Sequence, residues 1–105
     1  MKPMIENLEK LLDGPRDGAM LRFSLGNAWL DQDAGRAAGY YREAVERDRN
    51  YSAAWKGLGR ALALAGQTAD ALEAYRQGIA IAEARGDLQA AKEMKVFARR
   101  LERGA

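Results

Sequence analysis

The chain has 105 residues, the size of a single domain, and it contains no cysteine and no histidine. A disulfide framework, a thiolate metal site and the Ser/His and Cys/His nucleophile pairs are therefore excluded. Residues 1–50 carry eight basic and nine acidic side chains and residues 51–105 carry nine and six, so the net charge of +2 is too small to indicate nucleic-acid binding by itself.

A first amphipathic helix is predicted over residues 3–12. Pro3 suits the first turn of a helix, and Asp13-Gly14-Pro15 supplies a stop signal. One face of this segment is apolar and consists of Met4, Ile5, Leu8, Leu11 and Leu12. We expect this helix to pack against or cap the segments that follow. The alternative is a helix that detaches or swaps to bind another subunit.

Acidic side chains interrupt the apolar residues near the N-terminus, which argues against a signal peptide. No run in the chain approaches the roughly 18–20 apolar residues that a membrane span requires. We therefore expect a cytoplasmic protein without a membrane span.

A helical hairpin is predicted over residues 18–51. Apolar and small residues recur at helical spacing in two runs, which are separated by the turn at Asp31-Gln32-Asp33. The first run contains Leu21, Leu25, Gly26 and Trp29, and the second contains Ala37, Ala38, Tyr41, Ala44 and Val45.

A second hairpin, predicted over residues 52–85, repeats the first. Ala37 and Tyr41 recur as Ala71 and Tyr75, in both cases 34 residues later. The first helix of this hairpin carries Trp55, Leu58, Gly59 and Leu62, and the second carries Ala71, Leu72, Tyr75, Gly78, Ile79 and Ala82.

Three glycines, Gly57, Gly59 and Gly78, fall inside these predicted helices. A glycine in a helix interior costs roughly 1 kcal/mol relative to alanine, so helix propensity does not explain them. We expect close packing instead, with Gly59 and Ala71 at points where the two helices approach. Between the helices, Gly66 is the expected stop and Thr68 the expected N-cap.

The last helix is predicted over residues 87–103, with Gly86 closing the helix before it and Asp87 as its N-cap. Its apolar stripe consists of Leu88, Ala91, Met94, Phe97 and Leu101, and its basic residues are Lys92, Lys95, Arg99, Arg100 and Arg103. We expect it to cover the preceding hairpin and to present a polar outer face. The alternative is contact with nucleic acid or a membrane surface.

The spacing Trp-x2-Leu-Gly-x2-Leu from Trp55, followed by Ala-x3-Tyr from Ala71, resembles the tetratricopeptide repeat, a helix–turn–helix unit of 34 residues. The resemblance covers residues 18–51 and 52–85 as two units. It implies an all-α fold in which antiparallel hairpins stack as a short right-handed superhelix of five to six helices. The first unit departs from the pattern, because Arg22 stands where the second unit has Trp55.

The resemblance also implies a binding surface, since the first helices of successive hairpins line a concave groove in this family. By helical geometry this groove should carry Phe23 and Asn27 from the first unit, and Lys56 and Arg60 from the second. The implied partner is a protein or peptide with an acidic residue and an apolar anchor. The alternative interpretation is that Lys56 and Arg60 are simply part of a solvated face.

One subclass of the family grips the C-terminal carboxylate of chaperone tails with Lys, Asn and Arg side chains. Gly26-Asn27 resembles part of that clamp, but Phe23 falls where a Lys is expected and Gly57 where a second Asn is expected. Chaperone-tail binding is therefore not predicted.

No catalytic, cofactor-binding or metal-binding pattern occurs in the sequence. Gly57-Leu58-Gly59 lies within a predicted helix and is not preceded by a strand, as a phosphate-binding loop would be, and Asp31-Gln32-Asp33 lacks the rest of a calcium loop. We expect a protein-binding module that is not an enzyme. The alternatives are homo-oligomerisation through exposed repeat ends and nucleic-acid contact through the basic last helix.

Overall fold

Six helices follow one another in the computed structural model, which describes residues 2–104, and no strand occurs among these residues. They are α1 (Lys2–Glu9), α2 (Ala19–Trp29), α3 (Ala34–Arg47), α4 (Ser52–Leu64), α5 (Thr68–Ala84) and α6 (Leu88–Gly104). The predicted all-α fold is confirmed. None of these helices combines the length and the apolar character needed to cross a bilayer.

The helices pack mainly against their neighbours in the chain. α2 with α3 and α4 with α5 form the two predicted hairpins, α3 packs on α4, and α5 packs on α6. α4 also contacts both α2 and α6, so these three helices share one side of the molecule. α1 lies on α2, where the side chain of Ile5 is buried.

Most helix ends follow the expected turn chemistry. Gly66 and Gly86 have φ of 80° and 77°, the left-handed conformation that favours glycine after a helix. Asp87 caps α6, because its Oδ1 accepts a hydrogen bond from the backbone N–H of Ala90 at 3.2 Å. Thr68, expected as an N-cap, is instead the first residue of α5, and Gln67 occupies the cap position without a side-chain hydrogen bond.

α1 is shorter than predicted at its C-terminal end. It ends at Glu9 rather than near residue 12, and the backbone N–H groups of Leu11 and Leu12 donate to carbonyls three residues earlier. These bonds tighten the chain into turns. Asp13 has a φ of 65°, so the backbone changes direction there, just before Gly14-Pro15.

Large side chains occupy the space left by the helical glycines. A Cβ added to Gly57 would lie 2.5 Å from the ring of Tyr41, and one added to Gly26 would lie 2.7 Å from it. A Cβ added to Gly59 would likewise overlap the ring of Tyr75, and one added to Gly78 would lie 2.6 Å from the sulfur of Met94. The expectation of close packing is confirmed, and the partner of each glycine is a side chain rather than another backbone.

Arg22 forms a partly buried ion cluster at the start of α2, in the position that corresponds to Trp55. Its Nε and Nη2 donate to the Asp17 carboxylate at 3.0 and 2.6 Å, and its Nη1 donates to Glu43 Oε1 at 2.8 Å. The guanidinium of Arg22 holds the pKa of the Asp17 carboxyl well below its usual range. The cluster therefore ties the segment before α2 to α3.

Replacing Asp17 with asparagine should lower the free energy of unfolding, and by more at pH 7 than near pH 3. The pKa of Asp17 is depressed in the folded chain, so its contribution is complete above the unfolded-state value of about 4 and declines as the pH falls through the folded-state value. Urea unfolding of both chains at the two pH values measures the difference. Glu73→Gln, which removes an exposed ion pair with Arg76, is the control and should change little. Equal losses at both pH values would contradict the role given to Asp17.

Candidate functional site

A concave groove of about 500 Å³ lies between α2, α4 and α6. All four residues that were predicted to line a groove do line this one: Phe23, Asn27, Lys56 and Arg60. The other lining residues are Leu30, Tyr41, Ala53, Gly57, Gln89, Lys92, Glu93, Val96 and Phe97. The four side chains lie on a common surface, as the family resemblance implied, and α6 supplies a wall that sequence reasoning had treated mainly as a cap.

Tyr41 forms the floor of the groove. Its ring fits beneath α2 and α4 because Gly26 and Gly57 leave room for it, and the side chain is 1 % exposed. The Tyr41 hydroxyl donates a hydrogen bond to Asn27 Oδ1. Burial raises the pKa of Tyr41 to about 12, so the hydroxyl keeps its proton at neutral pH. Asn27 is held through its oxygen, and its Nδ2 group has no hydrogen-bond partner within residues 2–104.

One end of the groove is aromatic. The ring of Phe23 lies 4.9 Å from that of Tyr51 and 5.9 Å from that of Tyr41, with both pairs tilted. Such distances are typical of favourable aromatic contacts. Phe23 is half-buried, so part of its ring remains available to a ligand.

Lys56 already has a carboxylate partner in the chain. Its Nζ lies 2.9 Å from Oε1 of Glu93 on α6, and both side chains are slightly more than a third exposed. The hydrogen bond from Lys56, with a second from Gln89, lowers the pKa of Glu93. Ion pairs of this exposure contribute little to stability, and they exchange readily with other charged groups. Sequence reasoning missed Glu93, because the pair depends on how α6 packs on α4.

Arg60 is exposed and forms no ion pair within the part of the chain that the structure describes. It lines a second concavity as well, of about 390 Å³, towards the C-terminal ends of α4 and α6. The residues around this second concavity are Arg60, Ala63, Leu64, Thr68, Tyr75, Phe97, Arg100, Leu101 and Gly104. Arg60 and Phe97 belong to both concavities, so the two adjoin.

No family model matches the chain. A curated protein of Pseudomonas aeruginosa, named as TPR repeat-containing, is 52 % identical to it over 101 residues, which are 95 % of this chain and 96 % of the relative. Among solved structures, a protein of Bordetella parapertussis is 40 % identical with a TM-score of 0.84, and the match covers 99 % of this chain and 91 % of that one.

Two structures of tetratricopeptide repeat domain proteins from Salinibacter ruber are similar in fold. The solution structure is 28 % identical with a TM-score of 0.75, covering 86 % of this chain and 91 % of that one. The crystal structure is 29 % identical with a TM-score of 0.74, covering 82 % and 97 %. With the repeated hairpins and the identity to the Pseudomonas relative over nearly its whole length, the chain belongs to the tetratricopeptide repeat family.

Proposed function

We propose that this chain is a non-catalytic interaction module whose groove binds an extended segment of another protein. The observation that supports this function is the convergence of different binding groups on one concave surface. An aromatic anchor at Phe23, an amide donor at Asn27 and a cation at Arg60 line the same groove of about 500 Å³. Membership of the tetratricopeptide repeat family supports protein binding as the general activity.

Each of these groups suits a different part of a peptide. The side-chain oxygen of Asn27 accepts the hydrogen bond from Tyr41, which fixes the orientation of the amide. The Nδ2 group of Asn27 can then donate to a peptide carbonyl. Phe23 and the Val96–Phe97 wall can bury an apolar side chain. An acidic side chain of the peptide can pair with Arg60, or with Lys56 after displacing Glu93.

The double variant Lys56→Glu/Arg60→Glu tests this function. We expect it to lose at least tenfold in affinity for the protein segments that wild-type chain captures from a lysate and that peptide arrays then map. The control is Arg42→Glu/Arg76→Glu, which makes the same change in charge on α3 and α5, outside the groove. Thermal melts of both variants establish that they are folded.

Capture that is lost only in the groove variant would support the proposed function. Segments captured equally by both variants would overturn it. The interaction would then lie on the outer helices or at the ends of the stack, where homo-oligomerisation becomes the better account. Sedimentation over a range of concentrations would measure that directly.

A further inference from the structure

We propose that the groove continues into a second subsite, in which Arg60 and Arg100 bind an acidic side chain that lies next to a large apolar side chain in the same extended segment. The occupant is an internal stretch of a partner protein. This inference rests on the proposed function, because it assigns chemistry to one end of the same groove. The second concavity, of about 390 Å³, is the place where this contact would occur.

The two concavities adjoin each other. They share Arg60 on α4 and Phe97 on α6, so one extended segment could contact both. An extended segment advances about 3.3 Å per residue. A segment of about twelve residues is therefore about as long as the largest dimension of the molecule, 39 Å.

The second concavity has apolar walls that would hold a large side chain. Ala63, Leu64, Phe97 and Leu101 contribute to them. Leu64 is 60 % exposed, which leaves its side chain free to contact a ligand.

The charges at this concavity are all of one sign. Neither Arg60 nor Arg100 forms an ion pair with any residue between 2 and 104, and no acidic residue is among those that line the second concavity. The first concavity differs, because Glu93 neutralises Lys56 there. Two guanidinium groups beside an apolar surface are complementary to a carboxylate, which Arg can bind through two parallel hydrogen bonds.

Tyr75 adds a neutral donor to the same surface. Its hydroxyl makes no hydrogen bond to another described residue, and burial raises the pKa of Tyr75 to about 12. The hydroxyl therefore stays protonated at neutral pH and can donate to an oxygen of the ligand. Arg60, which opposes this rise in pKa, is close enough for its charge to be felt at Tyr75.

The adjacency of the two concavities decides between two sources of the carboxylate. A C-terminal carboxylate at the second concavity would place the end of the partner chain there. A side-chain carboxylate allows the segment to pass through both concavities and to use Asn27 and Phe23 as well. The second arrangement uses the whole surface, and it is the one we propose.

A display library of random peptides of about twelve residues, fused at their C-termini, is the probe. Selection on wild-type chain should enrich Asp or Glu beside Leu, Ile or Phe. Selection on Arg100→Gln should lose the acidic preference, and selection on Arg99→Gln should keep it. Arg99 is the matched control, because it is the adjacent exposed arginine of α6 and lines neither concavity.

Two affinities for the protein complete the test. One is that of the tightest-binding peptide selected on wild-type chain, and the other is that of the same peptide with Gln in place of its acidic residue. Arg60→Gln and Arg100→Gln should each weaken the acidic peptide about tenfold and leave the Gln peptide unchanged. The difference between the two peptides should shrink as salt is raised. This pattern would show that the two arginines bind the peptide's carboxylate.

Three other outcomes would overturn the inference. If the acidic preference survives in Arg100→Gln, the second subsite is wrong, while peptide binding in the first concavity stands. If a parallel library with free C-termini alone yields binders, the carboxylate is terminal. If wild-type chain enriches no peptide from either library, both the subsite and the proposed function fail.

Discussion

Replacing Gly59 with leucine should lower the free energy of unfolding by about 3 kcal/mol. Any Cβ at this position would overlap the ring of Tyr75, which is itself 2 % exposed and packed between α4 and α6. The ring has nowhere to move, so the helices must separate. A loss of this size would remove a large share of the roughly 5–15 kcal/mol that stabilises a chain of this length.

Urea unfolding followed by circular dichroism measures this loss. Gly39→Ala is the control, since a Cβ at Gly39 on the exposed side of α3 meets nothing within 4 Å. That variant should be more stable than wild type by up to about 1 kcal/mol, through helix propensity alone. An unchanged unfolding midpoint for Gly59→Leu would remove Gly59 from the contact with Tyr75.

Removing residues 88–105 should abolish cooperative unfolding and cause self-association. α6 buries Met94 completely against the second hairpin, at the position where Gly78 leaves room for it. Phe97 lies 6.0 Å from the ring of Tyr75. Each large apolar side chain that loses its cover forfeits about 1.5–3 kcal/mol, so several together exceed what a small domain can lose.

Gel filtration and thermal melting of the shortened chain test this expectation. The control is a chain that ends after Glu102. Of the residues that it lacks, those that the structure describes are exposed, so it should remain monomeric and melt near the wild-type temperature. A soluble, cooperative chain that ends at Asp87 would show that α6 is not required as a cover.

The repeat pattern predicted the fold well, because the residues that define it are the ones that pack. Tyr41 and Tyr75 recur 34 residues apart, and both are buried against glycines that the sequence had marked as costly in a helix. The four residues expected in the groove lie on one surface. Helical spacing determines which side chains share a face within each helix, and the resemblance to the repeat family supplied the expectation that α2 and α4 line one surface.

The features that sequence reasoning missed depend on contacts between distant residues. Arg22 looked like a departure from the pattern, because nothing local indicates that Asp17 and Glu43 converge on it. Lys56 and Glu93 are 37 residues apart and meet only because α6 lies against α4. The sequence positions of charged surface residues do not indicate which residue each will pair with. The periodicity of apolar residues, by contrast, indicates which face of a helix is buried.

The position of Tyr41 has a consequence for the unit that folds. The ring belongs to the first repeat, but the glycines that receive it lie on α2 and α4, one in each repeat. Neither repeat has a complete interior without the other, so the interface between the two repeats contributes to the stability of both in a nearest-neighbour description. The same ring fixes the spacing of α2 and α4 at the groove floor. The groove is therefore preorganised. Its backbone loses conformational entropy when the two repeats fold together, so ligand binding does not carry that cost again.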